Sequence, residues 1–471
     1  MFEPFIAPSG TLLGLLQRGR GDGTLHALTA PRDEALAALN HCVLSDPRHD
    51  WQVENRSLYY ARLYLDLHGE LGEIERHLFD PEDVLDTDES RTGLALAVLG
   101  HLASYGRRDA LELLRRYAAF GGNWAWALDE LALRDDDAGL RALAEPILAR
   151  FPADAEADLV AAVRDAFEPR PWRLWAEDPR PHVGARVRAA QEGGSFDRWQ
   201  RQMRPSGPRP EWSVQAVFDW AQEGFERGAV LYVPAARCLS AVAGPEDRAQ
   251  ILRAAQDGTD GARCTALRYL SDAHDPDVLD LIEAAVESPS RLVVDAALDA
   301  FERMRSVASV ERARRWAPRP DALGAAAGRV LACRGGAQDS DLVLWALREA
   351  VRGDGPDAPT LWPLVDGAGR LGIAGAAPVL RHVYRETASS HLRGQAARAL
   401  AATDASFPAG FAVECLWDCE ESTREIAARH AETGDARVVD QLRRLAADPA
   451  EEAEVQTAVR ARIGSDPTTA L

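Results

Sequence analysis

Apolar residues fall along this chain in stripes with the spacing of one helix face. Ala35, Leu36, Leu39 and Val43 form one stripe, and Tyr59, Leu63 and Leu67 form the next. The pattern is helical nearly throughout from about residue 24. At a longer range the stripes repeat. Ala235, Ala266, Ala297, Ala327, Gly367, Ala396 and Ile426 recur at steps of 31, 31, 30, 40, 29 and 30 residues. Equivalent centres at Ala61, Val98 and Ala127 extend the array toward the N-terminus. Each centre is followed by a short polar turn and another apolar run, as in Leu270-Ser-Asp-Ala-His-Asp-Pro-Asp-Val278, Leu371-Gly-Ile-Ala-Gly-Ala-Ala-Pro-Val379 and His430-Ala-Glu-Thr-Gly-Asp-Ala-Arg-Val438. The predicted unit is helix, turn, helix. One such pair cannot bury its own apolar face, so neighbouring pairs must stack and share a core.

The small-residue centre, the unit of about 30 residues and the Gly-Asp or Asp-Pro turn resemble HEAT-like repeats, in particular the short bacterial form first described in phycobilin lyases. The resemblance implies an all-α fold, an α-solenoid wound as a right-handed superhelix of about eleven or twelve such units, with an extended concave surface. It implies a non-enzymatic scaffold or adaptor that holds a protein or peptide partner on that surface. A minority of such proteins attach bilins, and a related helical-repeat group removes alkylated bases from DNA. An enzyme on the same scaffold, or a regulator of a neighbouring enzyme, is therefore the alternative.

One stretch breaks the rhythm. Residues 151–230 carry Pro169, Pro171, Pro179, Pro181, Pro205, Pro208 and Pro210, and are expected to form an irregular insertion without long helices. It divides repeats at 1–150 from repeats at 231–464, ahead of a frayed tail at 465–471. Gly353-Asp-Gly-Pro-Asp-Ala-Pro359 accounts for the single long step.

Charge sharpens interest in the insertion. The chain carries 74 acidic and 54 basic residues, net −20, and every basic residue is arginine. Without lysine it can form neither a phosphate-binding P-loop nor a Schiff base. Yet residues 170–209 contain nine arginines against four acids, and seven of the twelve tryptophans lie between 124 and 220. Guanidinium groups beside indoles suit an anionic or π-bearing partner. Arg173, Trp175, Arg198, Trp199 and Arg201 are thus candidate partner contacts. Trp126, Asp129 and Glu130 share a helix face at i, i+3 and i+4, with Trp124 nearby, and could hold a cation or an arginine-bearing peptide. Trp124, Trp126 and Asp129 join the candidate set. The net charge argues against a nucleic-acid groove, since a strongly acidic body repels a polyanion.

The remaining motifs add little chemistry. Cys415 and Cys419, at i and i+4, are expected on one helix face, but no second pair or nearby His-x3-His completes a metal set. The six cysteines form no secreted-type disulfide framework. No G-x-S-x-G, H-E-x-x-H or strand-borne G-x-G-x-x-G occurs. No cofactor is expected. No run approaches the ~20 apolar residues of a membrane span, so the expectation is a cytoplasmic protein without a membrane partner. His68, His101 and His430 are expected as partly buried residues at or beside unit centres, and His274 as a turn residue.

Overall fold

A computed structural model describes residues 5–48, 54–82, 88–152, 154–202 and 212–465. Among them every regular element is a helix, and no strand occurs. The chain divides into two compact units: residues up to 204 together with those from 384 onward, and residues 205–383.

In the second unit the helices carrying the repeat centres pack in succession. Asp260–Asp272 contacts Tyr232–Val242 on one side and Arg291–Arg303 on the other; Ala322–Arg334 follows, then Leu361–Arg370. Helices Arg248–Asp257, Val278–Ala285, Val307–Trp316 and Ser340–Asp354 alternate with them. The centres are small because neighbouring backbones approach closely there. A Cβ added to Gly367 would lie 2.6 Å from the Cβ of Ala332. Ala235, Ala266, Ala297, Ala327 and Ala396 are all fully buried. The last centre is displaced by one residue: Ile426 is half-buried and Ala427 fills the slot.

Five of the turns share one geometry. His68, Gly106, Gly228, His274 and Gly372 all have positive φ, from 51° to 84°. The N–H after each bonds the carbonyl five residues back, as in Arg107 to Leu102 at 3.0 Å and Asp275 to Leu270 at 2.9 Å. This is the left-handed helix stop that glycine adopts without penalty. It corrects the expectation for His68, which is exposed at a turn rather than at a unit centre.

Where described, residues 151–230 are largely helical rather than irregular. They hold Glu156–Asp165, Arg170–Ala176, Pro181–Gln202 and Val214–Glu226, the third of them 22 residues long. Pro205, Pro208 and Pro210 lie outside the described residues, whereas Pro171 sits in a first turn and Pro181 opens the long helix. The missing N–H costs nothing there.

The first unit joins the two ends of the sequence. Gly19, at φ +68°, and Gly21 let the segment Leu12–Thr29 lie directly on Phe411–Cys419; a Cβ on Gly21 would sit 1.8 Å from the Glu414 carbonyl oxygen. The Cys419 N–H donates to the Gly19 carbonyl at 2.8 Å. Around this contact lie buried arginines. Arg393 pairs with Asp418 at 2.8 Å, both side chains fully buried. Arg56 pairs with Glu54 and donates to the Ala388 carbonyl at 2.6 Å. Arg424 pairs with Glu451 at 2.6 Å, and Arg62 reaches Asp448 and Glu451 at 2.7 and 3.0 Å. Buried pairs of this kind add little net stability, but removing one partner leaves a charge without compensation, so they specify which surfaces meet.

Candidate functional site

Trp172 and Trp175, the described tryptophans of the arginine-rich region, form core packing. Trp172 and Trp175 meet edge to face at 4.9 Å, and Trp124 contacts Trp172 at 6.5 Å and Phe151 at 5.7 Å. Trp175 is fully buried and its indole N–H donates to the Leu140 carbonyl at 2.8 Å. It offers a partner no surface, which corrects its reading as a contact. Trp124 is half-buried with the Arg150 guanidinium over its ring at 5.7 Å.

Most of the described arginines there act internally too. Arg170 donates to the Ala132 and Asp135 carbonyls at 2.8 and 3.0 Å and pairs with Asp137. Arg180 bridges Asp178 and Glu145 at 2.7 and 2.5 Å. Arg186 reaches Glu156 and the Leu148 and Phe151 carbonyls. Arg173, like Arg188, is exposed at the surface. The side chains of Arg198, Trp199 and Arg201 lie outside the described residues. Arg173 and Trp175 sit on the same short helix, but only Arg173 faces solvent.

Trp126, Asp129 and Glu130 do share the face of Trp124–Arg134, half-buried rather than solvated. Glu130 bonds the Trp126 side chain and lies 2.7 Å from Arg134; burial pushes its carboxyl up to about 7. Asp129 accepts from the Glu168 N–H at 3.1 Å, and burial raises it to about 6. His101, on the preceding Glu89–Ser104 helix, is lowered to about 4 by burial and by Arg134 and Arg62. These groups are already engaged with one another.

Cys415 and Cys419 do not share a helix face, because the helix Phe411–Cys415 ends at the first of them. Cys419 accepts from Arg393 at 3.3 Å, and burial lifts its thiol to about 12. A thiol so protonated is unreactive.

A further concavity lies where the sequence singled out nothing. In the second unit a groove of about 710 Å³ runs between Val214–Glu226, Arg248–Asp257 and the start of Asp260–Asp272. Val214–Glu226 starts at Ser213, whose hydroxyl accepts from the Ala216 N–H at 3.2 Å. It buries Val217, Phe218, Ala221 and Gly224 and turns Gln215, Asp219, Gln222, Glu223 and Glu226 toward the groove. The Gln222 amide oxygen accepts from the Gly261 N–H at 2.9 Å. Gly261 must lack a side chain, since a Cβ would meet the Ala221 backbone at 2.7 Å. Gln250 spans to Gln215 at 3.2 Å. Phe218, Ala254 and Ala262 supply apolar lining.

The groove's electrostatics differ from those of the packed helices beside it. In the neighbouring repeats a carboxylate usually meets an arginine of the adjoining repeat: Arg248 with Asp275 at 2.7 Å, Arg268 with Asp299 at 2.7 Å, Arg329 with Glu302 at 2.5 Å. The groove instead presents Asp219, Glu223, Glu226 and Asp257, and its one arginine, Arg253, pairs with none of them. Glu223 reaches only Arg227, on an exposed edge. The stripe Gln215, Asp219, Gln222, Glu223, Glu226, at i, i+4, i+7, i+8 and i+11, was readable as one helix face. It escaped notice because a polar face is the ordinary outside of a helix.

Compared with known proteins, the chain matches no protein-family model and no curated protein.

Proposed function

We propose that the chain is a HEAT-like helical-repeat scaffold that holds a protein or peptide partner and performs no chemistry of its own, with the partner seated in the groove of the second unit. The observation that carries this reading is the groove itself. At about 710 Å³ it is within the ~300–1,000 Å³ range of pockets that bury a drug-sized ligand, room for a few side chains of a partner. Its walls are two regular helices whose buried faces are fixed, so the rim is held ready without a partner present.

Gln215 is exposed at the rim, so Gln215→Trp fills the groove without touching the core. The full-length variant should keep its melting temperature and fail to recover the partner that the unaltered chain retains in affinity purification from its native host. Equal recovery by both chains would place the partner elsewhere and contradict the assignment.

A further inference from the structure

We infer that the segment received by this groove is basic: a peptide stretch bearing arginine side chains about one helical turn apart. The inference rests on the groove being the docking site and adds the chemistry of what docks there.

Asp219, Glu223 and Glu226 follow one another along a single face of Val214–Glu226. At ~1.5 Å per residue they lie roughly 6 and 10 Å apart along the helix axis. Asp257 faces them from the end of Arg248–Asp257. The bonds these carboxylates already make inside the groove come from neutral amides. Gln215 donates to Asp219 at 2.8 Å and Gln222 donates to Glu226 at 3.1 Å. An amide donor orients a carboxylate without cancelling its charge, and leaves lone pairs that a guanidinium can take.

Among the described residues Asp219, Glu226 and Asp257 make no ion pair, and Glu223 reaches only Arg227, outside the groove lining. Arg248, on the same helix as Arg253, spends its guanidinium on Asp275 and Asp277 at 2.7 Å each, away from the groove. Groups of one sign with their counter-charges withheld attract a segment of the other sign, and the −20 net charge adds long-range steering toward it. Arginine fits better than lysine because its planar fork engages a carboxylate with two parallel bonds. The apolar lining from Phe218, Ala254 and Ala262 suits the methylene stems of such side chains.

The test uses the full chain and a fluorescent alanine-glutamine peptide with arginines at i, i+4 and i+7, beside the same peptide with citrulline in their place and free arginine amide. The arginine peptide should bind with an affinity that falls steeply with salt. Citrulline should weaken it about tenfold or more, as should the combined substitution Asp219→Asn, Glu223→Gln and Asp257→Asn at unchanged melting temperature. Equal binding of the arginine and citrulline peptides, both blocked by Gln215→Trp, would leave the groove as a docking site and overturn its preference for cations. Binding unaffected by the triple substitution would overturn it by placing the cation site elsewhere. Binding of arginine amide as tight as the peptide would show a small-cation pocket and overturn the peptide. If neither peptide binds, the basic segment is refuted, and the Gln215→Trp recovery experiment still decides the groove.

Discussion

The conformation of one turn residue recurs through both units. At His68, Gly106, Gly228, His274 and Gly372 the chain leaves a helix through a left-handed residue, and the next N–H closes the same bond each time. Glycine takes this conformation freely, whereas a residue with a Cβ pays roughly 1 kcal/mol. His274 is exposed, with φ 56°. His274→Gly should therefore raise unfolding stability by about 0.5–1 kcal/mol, seen as a higher urea midpoint with unchanged slope; a lower midpoint would mean that the imidazole makes a stabilising contact. These turns were only partly legible in the sequence. Gly106 and the Asp275-Pro276 pair announced themselves, because glycine and proline punctuate structure for reasons visible in one dimension. His68 did not, since nothing in a histidine's identity marks a left-handed residue.

At the scale of the element, helix ends are tied to the next repeat by arginine. Arg150 donates to the Ala119 and Gly121 carbonyls at 2.8 Å, Arg170 to Ala132 and Asp135, and Arg370 to Ala332 and Gly335 at 2.8 and 3.0 Å. Each clamp comes from about one repeat downstream and satisfies carbonyls that a helix end leaves open. The two terminal nitrogens of Arg170 serve three acceptors, Asp137 included. A lysine ammonium is a single point and cannot fork this way. Arg170→Lys should thus destabilise the chain by about 1–2 kcal/mol despite keeping the charge, and a neutral outcome in chemical denaturation would refute the clamp. This explains why the arginines of residues 170–188 read as a binding patch in sequence. Local charge density was visible there, but not that the Arg170 and Arg186 guanidiniums face carbonyls 35 to 38 residues away. The same blindness turned buried Trp175 into a candidate contact. Periodicity, by contrast, located the buried small-residue positions well, because neighbouring helices approach closely there.

At the scale of the molecule, what the repeat pattern could not foresee is that one unit is built from both ends of the chain. A one-dimensional period specifies contacts between neighbours and says nothing of Arg62 with Asp448 or Arg444 with Asp66. One consequence is a pH dependence. Glu414 bonds Asp22, with Arg20 bridging both at 2.9 and 3.0 Å, and burial raises its carboxyl from 4.5 to about 8. Between those values the folded chain keeps a proton that the unfolded chain releases, so this group's contribution is complete below pH 4.5 and is lost as pH rises to about 8. Glu414→Gln, which mimics the protonated form, should gain stability over the unaltered chain progressively across that window, measured by urea unfolding; a constant difference would contradict the buried carboxyl pair. For function, the most direct measurement is hydrogen–deuterium exchange of the full chain with and without the arginine peptide. The account predicts slowed exchange confined to Val214–Glu226, Arg248–Asp257 and the start of Asp260–Asp272, whereas protection centred on Arg170–Ala176 or Trp124–Arg134, or no protection at all, would contradict it.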